Sequence, residues 1–188
     1  MTKTLSEKIK QGSSIINFSL PATDGQTYTP ASFSDNKALV IVFTCNHCPY
    51  AQLAKPKLQY LHQRYHNQGI GFVAINPNDD EAYPEDNFDK MKEERFDYPF
   101  PYLRDESGEV AQSYGAVCTP DTFIFDQDQK LVYRGQIDDE RPNSDSPLSD
   151  KDDDYSRDLK NALEAILAGH QPAPEQKPSV GCSIKWKS

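Results

Sequence analysis

The chain has little of several things, and each shortage narrows what it does. It has only four cysteines in 188 residues. That is too few for a small secreted scaffold stapled by disulfides, but enough for one working pair and two extra thiols. It has no excess of basic residues: the formal net charge is -9, which argues against nucleic acid or an anionic membrane as a partner. No stretch approaches the ~20 consecutive apolar residues that a membrane-spanning helix needs. The opening segment Met1 to Ser13 is polar and lysine-bearing, without the apolar run of a signal peptide. The expectation from these absences is a soluble cytoplasmic protein, in which an exposed cysteine pair cycles or binds metal rather than holding structure. Internal repeats are also missing.

What remains is one domain over residues 1–188: the polar start, a core over 14–169, and a proline-rich tail over 170–188 that carries Cys182. The pattern predicts a hairpin over Ile15 to Thr29, turning at Asp24-Gly25. A buried strand follows at Leu39 to Thr44, then a helix from Tyr50 to His66 with Leu58, Leu61 and Tyr65 on one face and a kink at Pro56. Ile70 to Asn76 reads as a second buried strand, so the two strands should run parallel around the helix. Tyr83 to Phe96 reads as a charged amphipathic helix, Pro99 to Leu103 as a short strand and Gly108 to Tyr114 as a short helix. Thr122 to Asp126 and Leu131 to Gly135 flank a four-residue polar loop and predict an antiparallel hairpin. Tyr155 to Ala168 is the last helix, stopped by Gly169.

The chemistry concentrates at Cys45-Asn46-His47-Cys48-Pro49, between the first buried strand and its helix. Two cysteines at such a junction close a small ring and open it again. A thiol attacks as its thiolate, and unpaired N–H groups at a helix N-terminus favour the anion. The expectation is therefore that Cys45, at the helix end, is the acidified and reachable nucleophile. His47, if protonated, tunes it, and Cys48 lies one turn in as the resolving thiol. A stabilised thiolate also favours the reduced form, which argues for an oxidising couple. Cys118-Thr119-Pro120 precedes the hairpin strand and should face the cysteine pair, with the Thr119 backbone docking an extended substrate. Cys118 and Cys182 are auxiliary candidates for thiol exchange, against the blander reading in which they simply pack.

Other patterns carry less. A zinc site needs two more ligands, there is no second Cys-x-x-Cys, and Cys118, Cys182 and His47 are the only reinforcements. His62 and His66 share a helix face without a carboxylate signature and read as solvated. Asp138 to Asp154 is rich in acids but lacks the glycine and closing glutamate of a calcium loop, and reads as a solvated loop.

Taken together these segments resemble the thioredoxin superfamily, in particular its peroxiredoxin-like branch related to alkyl hydroperoxide reductase. The resemblance runs through Ile16 to Pro21 with Asp24-Gly25, Val42 to Pro49, Tyr83 to Asp86, Tyr114 to Asp121, Tyr133 to Asp139 and Gly181 to Trp186. It implies an α/β thioredoxin-like fold: a mixed central sheet flanked by helices, with an N-terminal β-hairpin, a helical insert and an extended C-terminal tail. It also implies a redox role for Cys45 and Cys48 and a cis bond at Pro120.

The departures are specific. Val42 and Ala38 stand where peroxiredoxins carry threonine and proline, so the hydroxyl that holds peroxide is missing. Leu39 and Thr44 stand where thioredoxins carry a buried aspartate and a tryptophan. The leading expectation is a cofactor-free thiol–disulfide oxidoreductase acting on protein or small-molecule disulfides and thiols with a separate electron donor or acceptor. The alternatives are a thiol-dependent peroxidase using Cys45 and a non-catalytic metal-binding or carrier protein using Cys45, Cys48 and His47.

Overall fold

A computed structural model of the chain describes residues 9–94 and 98–187. Most of the polar opening segment, and the end of the helix expected to reach Phe96, lie outside the described residues. The elements in chain order are β1 (Leu20–Pro21), β2 (Thr27–Tyr28), β3 (Ala38–Phe43), α1 (Pro49–Tyr65), β4 (Ile70–Asn76), α2 (Phe88–Glu93), β5 (Tyr102–Arg104), α3 (Glu109–Tyr114), β6 (Cys118–Thr119), β7 (Asp121–Asp126), β8 (Leu131–Gly135), α4 (Arg157–Leu167) and β9 (Cys182–Ser183). Among the described residues no helix is long and apolar enough to cross a membrane.

Five strands form the central sheet in the order β5-β4-β3-β7-β8. β3 and β4 pair in parallel, as do β4 and β5, while β7 runs antiparallel to both β3 and β8. The sheet is mixed and carries helices on both faces, as the resemblance implied. β3 shows why the apolar run is continuous. Val40 and Val42 point into one core, with Leu58 and Leu61 of α1 and Leu159 and Leu163 of α4. Leu39, Ile41 and Phe43 point into the other, with Tyr114, Phe123 and Phe125. A strand buried on both faces has no polar side to alternate with.

The expected elements are present with adjusted ends. The first hairpin turns at Asp24-Gly25, where Gly25 has φ 85° and the Asp24 carboxylate accepts the Gln26 N–H. α1 runs on through Pro56. The amphipathic helix begins only at Phe88, preceded by a single turn over Pro84–Asp86. His62 is not on a solvated face: it is half-buried, with its ring against Phe72 and Phe100.

The acid-rich segment after Asp138 differs most from expectation. Its first part is no solvated loop. Asp138 and Glu140 are buried, and so is Lys57 of α1. The Lys57 ammonium donates to both Asp138 oxygens at 2.6 and 2.5 Å and pairs with Glu140 at 2.7 Å. Asp138 also accepts the N–H groups of Glu140 and Ser156, which ties α1 to the start of α4.

Candidate active site

Cys45 to Cys48 form the turn between the end of β3 and the start of α1. The helix begins at Pro49, whose missing N–H costs nothing at that position, and Cys48 is its cap residue in extended conformation. This corrects the expected placement. Cys48 is not one turn inside the helix but at its N-terminus, and Cys45 lies three residues ahead. Neither sulfur is open: Cys45 is 1% exposed and Cys48 0%.

A second segment closes over the pair. The Thr119-Pro120 bond is cis, as the resemblance implied. The Thr119 hydroxyl lies 3.3 Å from Cys45 Sγ, and the Cys48 thiol donates to the Thr119 carbonyl at 3.3 Å. Thr119, one of the two residues expected to dock substrate, therefore contacts both cysteines. The Thr119 backbone is not vacant, however. Its neighbour is the chain's own tail, since β6 and β9 pair with Thr119 opposite Cys182. Cys118 turns away from the pair: its thiol donates to the Pro120 carbonyl at 3.7 Å, and burial pushes its pKa up.

The residue that sequence reasoning missed is Asp86. Its carboxylate is fully buried beside the cysteine turn. Oδ1 accepts the Asn46 N–H at 2.7 Å, and Oδ2 accepts from Asn78 Nδ2 at 2.8 Å and meets His47 Nδ1 at 2.6 Å. His47 also stacks on Tyr83, with ring centroids 5.0 Å apart and planes 10° from parallel. Asn46 is held again by the Glu85 carbonyl and the Tyr102 hydroxyl. The turn between the two cysteines is thus clamped by a network from the insert and from β5. A buried carboxylate does stand near Cys45, although Leu39 removes the one that the thioredoxin pattern would place in the strand. The only signal for Asp86 in the sequence was its place in the resembling segment Tyr83 to Asp86.

Ligand-type atoms of Cys45, His47 and Asp86 lie within 4.8 Å of one another. Both Asp86 oxygens already accept hydrogen bonds, so the set reads first as a clamp on the cysteine turn.

The electrostatics reverse the expected order of acidity. The Cys48 thiol is pulled down to about 4, first by the hydrogen bond from Cys45 and then, against burial, by Cys182 and the Ala51 N–H. The Cys45 thiol is pushed far up by the same hydrogen bond, by burial and by the charge on Asp86, with the Thr119 hydroxyl opposing. Cys48, at the helix N-terminus, is therefore the more readily ionised of the two, and ionising it gives up its hydrogen bond to the Thr119 carbonyl. His47 faces Asp86 rather than serving as an isolated cation.

A pH dependence follows. Cys48 falls from an ordinary 9.0 to about 4, so its contribution to the stability of the reduced fold is complete above about 9 and is lost as pH falls through about 4. Cys45 moves the other way, and its share is lost as pH climbs above the ordinary value of 9.0. Thiolate ultraviolet absorbance of the reduced protein is expected to show one thiolate already present at neutral pH. Cys48→Ser should remove that step. A neutral-pH signal that survives Cys48→Ser and disappears in Cys45→Ser would place the anion on the other sulfur.

The Redoxin family pattern matches residues 10–161. An uncharacterized conserved protein from Geobacillus kaustophilus has a crystal structure similar to this one, with TM-score 0.89 and 44% identity over 100% of this chain and 97% of that one. Thiol-disulfide oxidoreductase ResA of Bacillus thuringiensis is 25% identical over 129 residues, covering 69% of this chain and 71% of the relative. The thioredoxin domain of a thiol-disulfide oxidoreductase from Bacteroides vulgatus shares the fold, with TM-score 0.57 and 19% identity over 67% of this chain and 88% of that one. With the family pattern covering most of the chain and the fold shared with these structures, the chain belongs to the Redoxin family and to the thioredoxin-like superfamily.

Proposed function

We propose that the chain is a thiol–disulfide oxidoreductase working through a Cys45–Cys48 dithiol–disulfide couple. The observation that carries this reading is the packed pair of cysteines between the end of β3 and the cap of α1, both of whose sulfurs contact Thr119. The similarity to relatives named thiol-disulfide oxidoreductase supports it.

In the reducing direction, Cys45 passes its proton to the neighbouring Cys48 thiolate and attacks a substrate disulfide. One substrate sulfur leaves as a thiolate and a mixed disulfide forms at Cys45. Cys48 then loses its proton to that leaving thiolate and attacks Cys45 Sγ, which releases the second substrate sulfur and closes Cys45–Cys48. The oxidising direction is the reverse.

The test is equilibration in glutathione buffers, with the Cys45–Cys48 disulfide mapped by mass and disulfide exchange assayed on insulin. The wild type should titrate as one two-electron couple, and Cys45→Ser and Cys48→Ser should each abolish exchange. Exchange that persists in both variants would overturn the reading. The Cys45, His47 and Asp86 cluster favours a second reading as a metal carrier. Stoichiometric zinc or copper in freshly purified reduced protein, lost in Cys45→Ser, would support it.

A further inference from the structure

The last strand of the chain lies where the functional reading puts substrate. β9 pairs antiparallel with β6, Cys182 opposite Thr119 and Ser183 opposite Cys118. The strap continues past the strand: the Ile184 N–H donates to the Val117 carbonyl, the Lys185 N–H to Asn78 Oδ1, and the Lys185 carbonyl accepts from the Asp79 N–H. Ile184 is itself buried in the second core.

The approach is closer than most residues allow. A Cβ at Gly181 would collide with the Thr119 carbonyl. That same carbonyl accepts the Cys48 thiol. The tail therefore delivers Cys182 to a fixed place. Its side chain packs against the small cluster of Cys45, Cys48 and Ala51. Cys45, Cys48 and Cys182 therefore share one small packed cluster. Access differs within it, because Cys182 is part-exposed whereas Cys45 and Cys48 are buried. A separation of three positions explains why Cys45 and Cys48 are neighbours, but only the strap explains Cys182, 134 positions beyond Cys48 in the chain (182 minus 48).

We propose that Cys182 is a third exchange thiol, which takes Cys48 over from Cys45 and carries the internal disulfide to the surface. This rests on the Cys45–Cys48 couple proposed above. The Cys182 thiolate attacks Cys48 Sγ of the Cys45–Cys48 disulfide. The Cys45–Cys48 bond breaks, the Cys48–Cys182 bond forms, and Cys45 leaves as a thiolate that takes up the proton Cys182 gave up. No electrons are gained or lost in this step. An external thiol, the reductant of the cycle, then attacks the accessible Cys182 sulfur and releases Cys48 as a thiolate. A second external thiol attacks the mixed disulfide, leaving the external pair oxidised and Cys182 reduced. The relay offers an external thiol a part-exposed sulfur, where Cys45 and Cys48 are buried.

Three variants test it. Cys45→Ser lacks the first couple, and oxidation by diamide should link Cys48 to Cys182, seen as one cross-linked peptide in a non-reducing digest. Cys182→Ser keeps the size of the side chain, and its oxidised form should be reduced by glutathione about tenfold or more slower than wild type, since a tethered thiol is replaced by a free one. Gly181→Val, made in the Cys45→Ser background, keeps all remaining thiols but spoils the approach, and the Cys48–Cys182 link should fall accordingly.

No Cys48–Cys182 link in Cys45→Ser, or glutathione reduction of Cys182→Ser at the wild-type rate, overturns the relay alone. A fully oxidised wild type without any Cys45–Cys48 disulfide overturns the underlying couple and the relay with it. Far-ultraviolet circular dichroism of each variant separates these outcomes from failure to fold.

Discussion

Lys57→Met should cost about 3–5 kcal/mol of folding stability, the range for breaking a buried ion pair from one side. Methionine keeps most of the stem that packs in α1, so lost volume is not the cause. The cause is that Asp138 and Glu140 are left buried without their cation, with Lys57 Nζ no longer between them. For a chain of this size the loss corresponds to about 6–20 °C in Tm. Thermal unfolding at neutral pH reads it. A deficit below about 1 kcal/mol at neutral pH would mean that the trio behaves like a surface ion pair.

Asp86→Asn should act on both stability and chemistry. All three groups around the carboxylate meet it as donors or through the His47 ring. An asparagine amide must turn its NH2 toward at least one of them, so a donor faces a donor. Leaving such a group unsatisfied costs about 1–3 kcal/mol. The charge that helps hold the Cys45 pKa up also disappears, so the second thiolate of the reduced protein should form at lower pH than in the wild type. Denaturant unfolding reads the first effect and thiolate absorbance against pH the second. A variant destabilised but with an unmoved second thiolate step would leave Asp86 as a clamp without electrostatic reach to Cys45.

These two residues also mark where the sequence stopped being readable. β3 and β4 were legible because strands buried on both faces show as unbroken apolar runs. The α1 core was legible because Leu58, Leu61 and Tyr65 recur at helical spacing. Pro49 carried a further signal: proline favours the first helical position, which would have placed Cys48 at the cap. Lys57 gave no such sign. Its partners lie 81 and 83 positions away (138 and 140 minus 57), in a segment whose composition looks solvated. Composition reports the average of a segment, whereas two carboxylates became buried because one helix face brought a lysine to them.

The reversed acidity of the cysteines was hidden for a related reason. Spacing within Cys45 to Cys48 placed the sulfurs together but not the partners that divide the proton between them. Those partners, Asp86, Thr119 and Cys182, come from three distant segments. The hairpin strands β7 and β8, by contrast, are neighbours in sequence as well as in space, and local turn chemistry was enough to find them.

The strapped tail sets a threshold for whatever approaches the Thr119 edge. A tethered strand competes as if it were present at an effective concentration on the order of millimolar, however dilute the protein is. Any outside strand using the same edge must either exceed that local occupancy or wait for Ser183 and Ile184 to lift from Cys118 and Val117. A weakly binding peptide would lose that competition, with Ser183 and Ile184 holding the same backbone groups it would need.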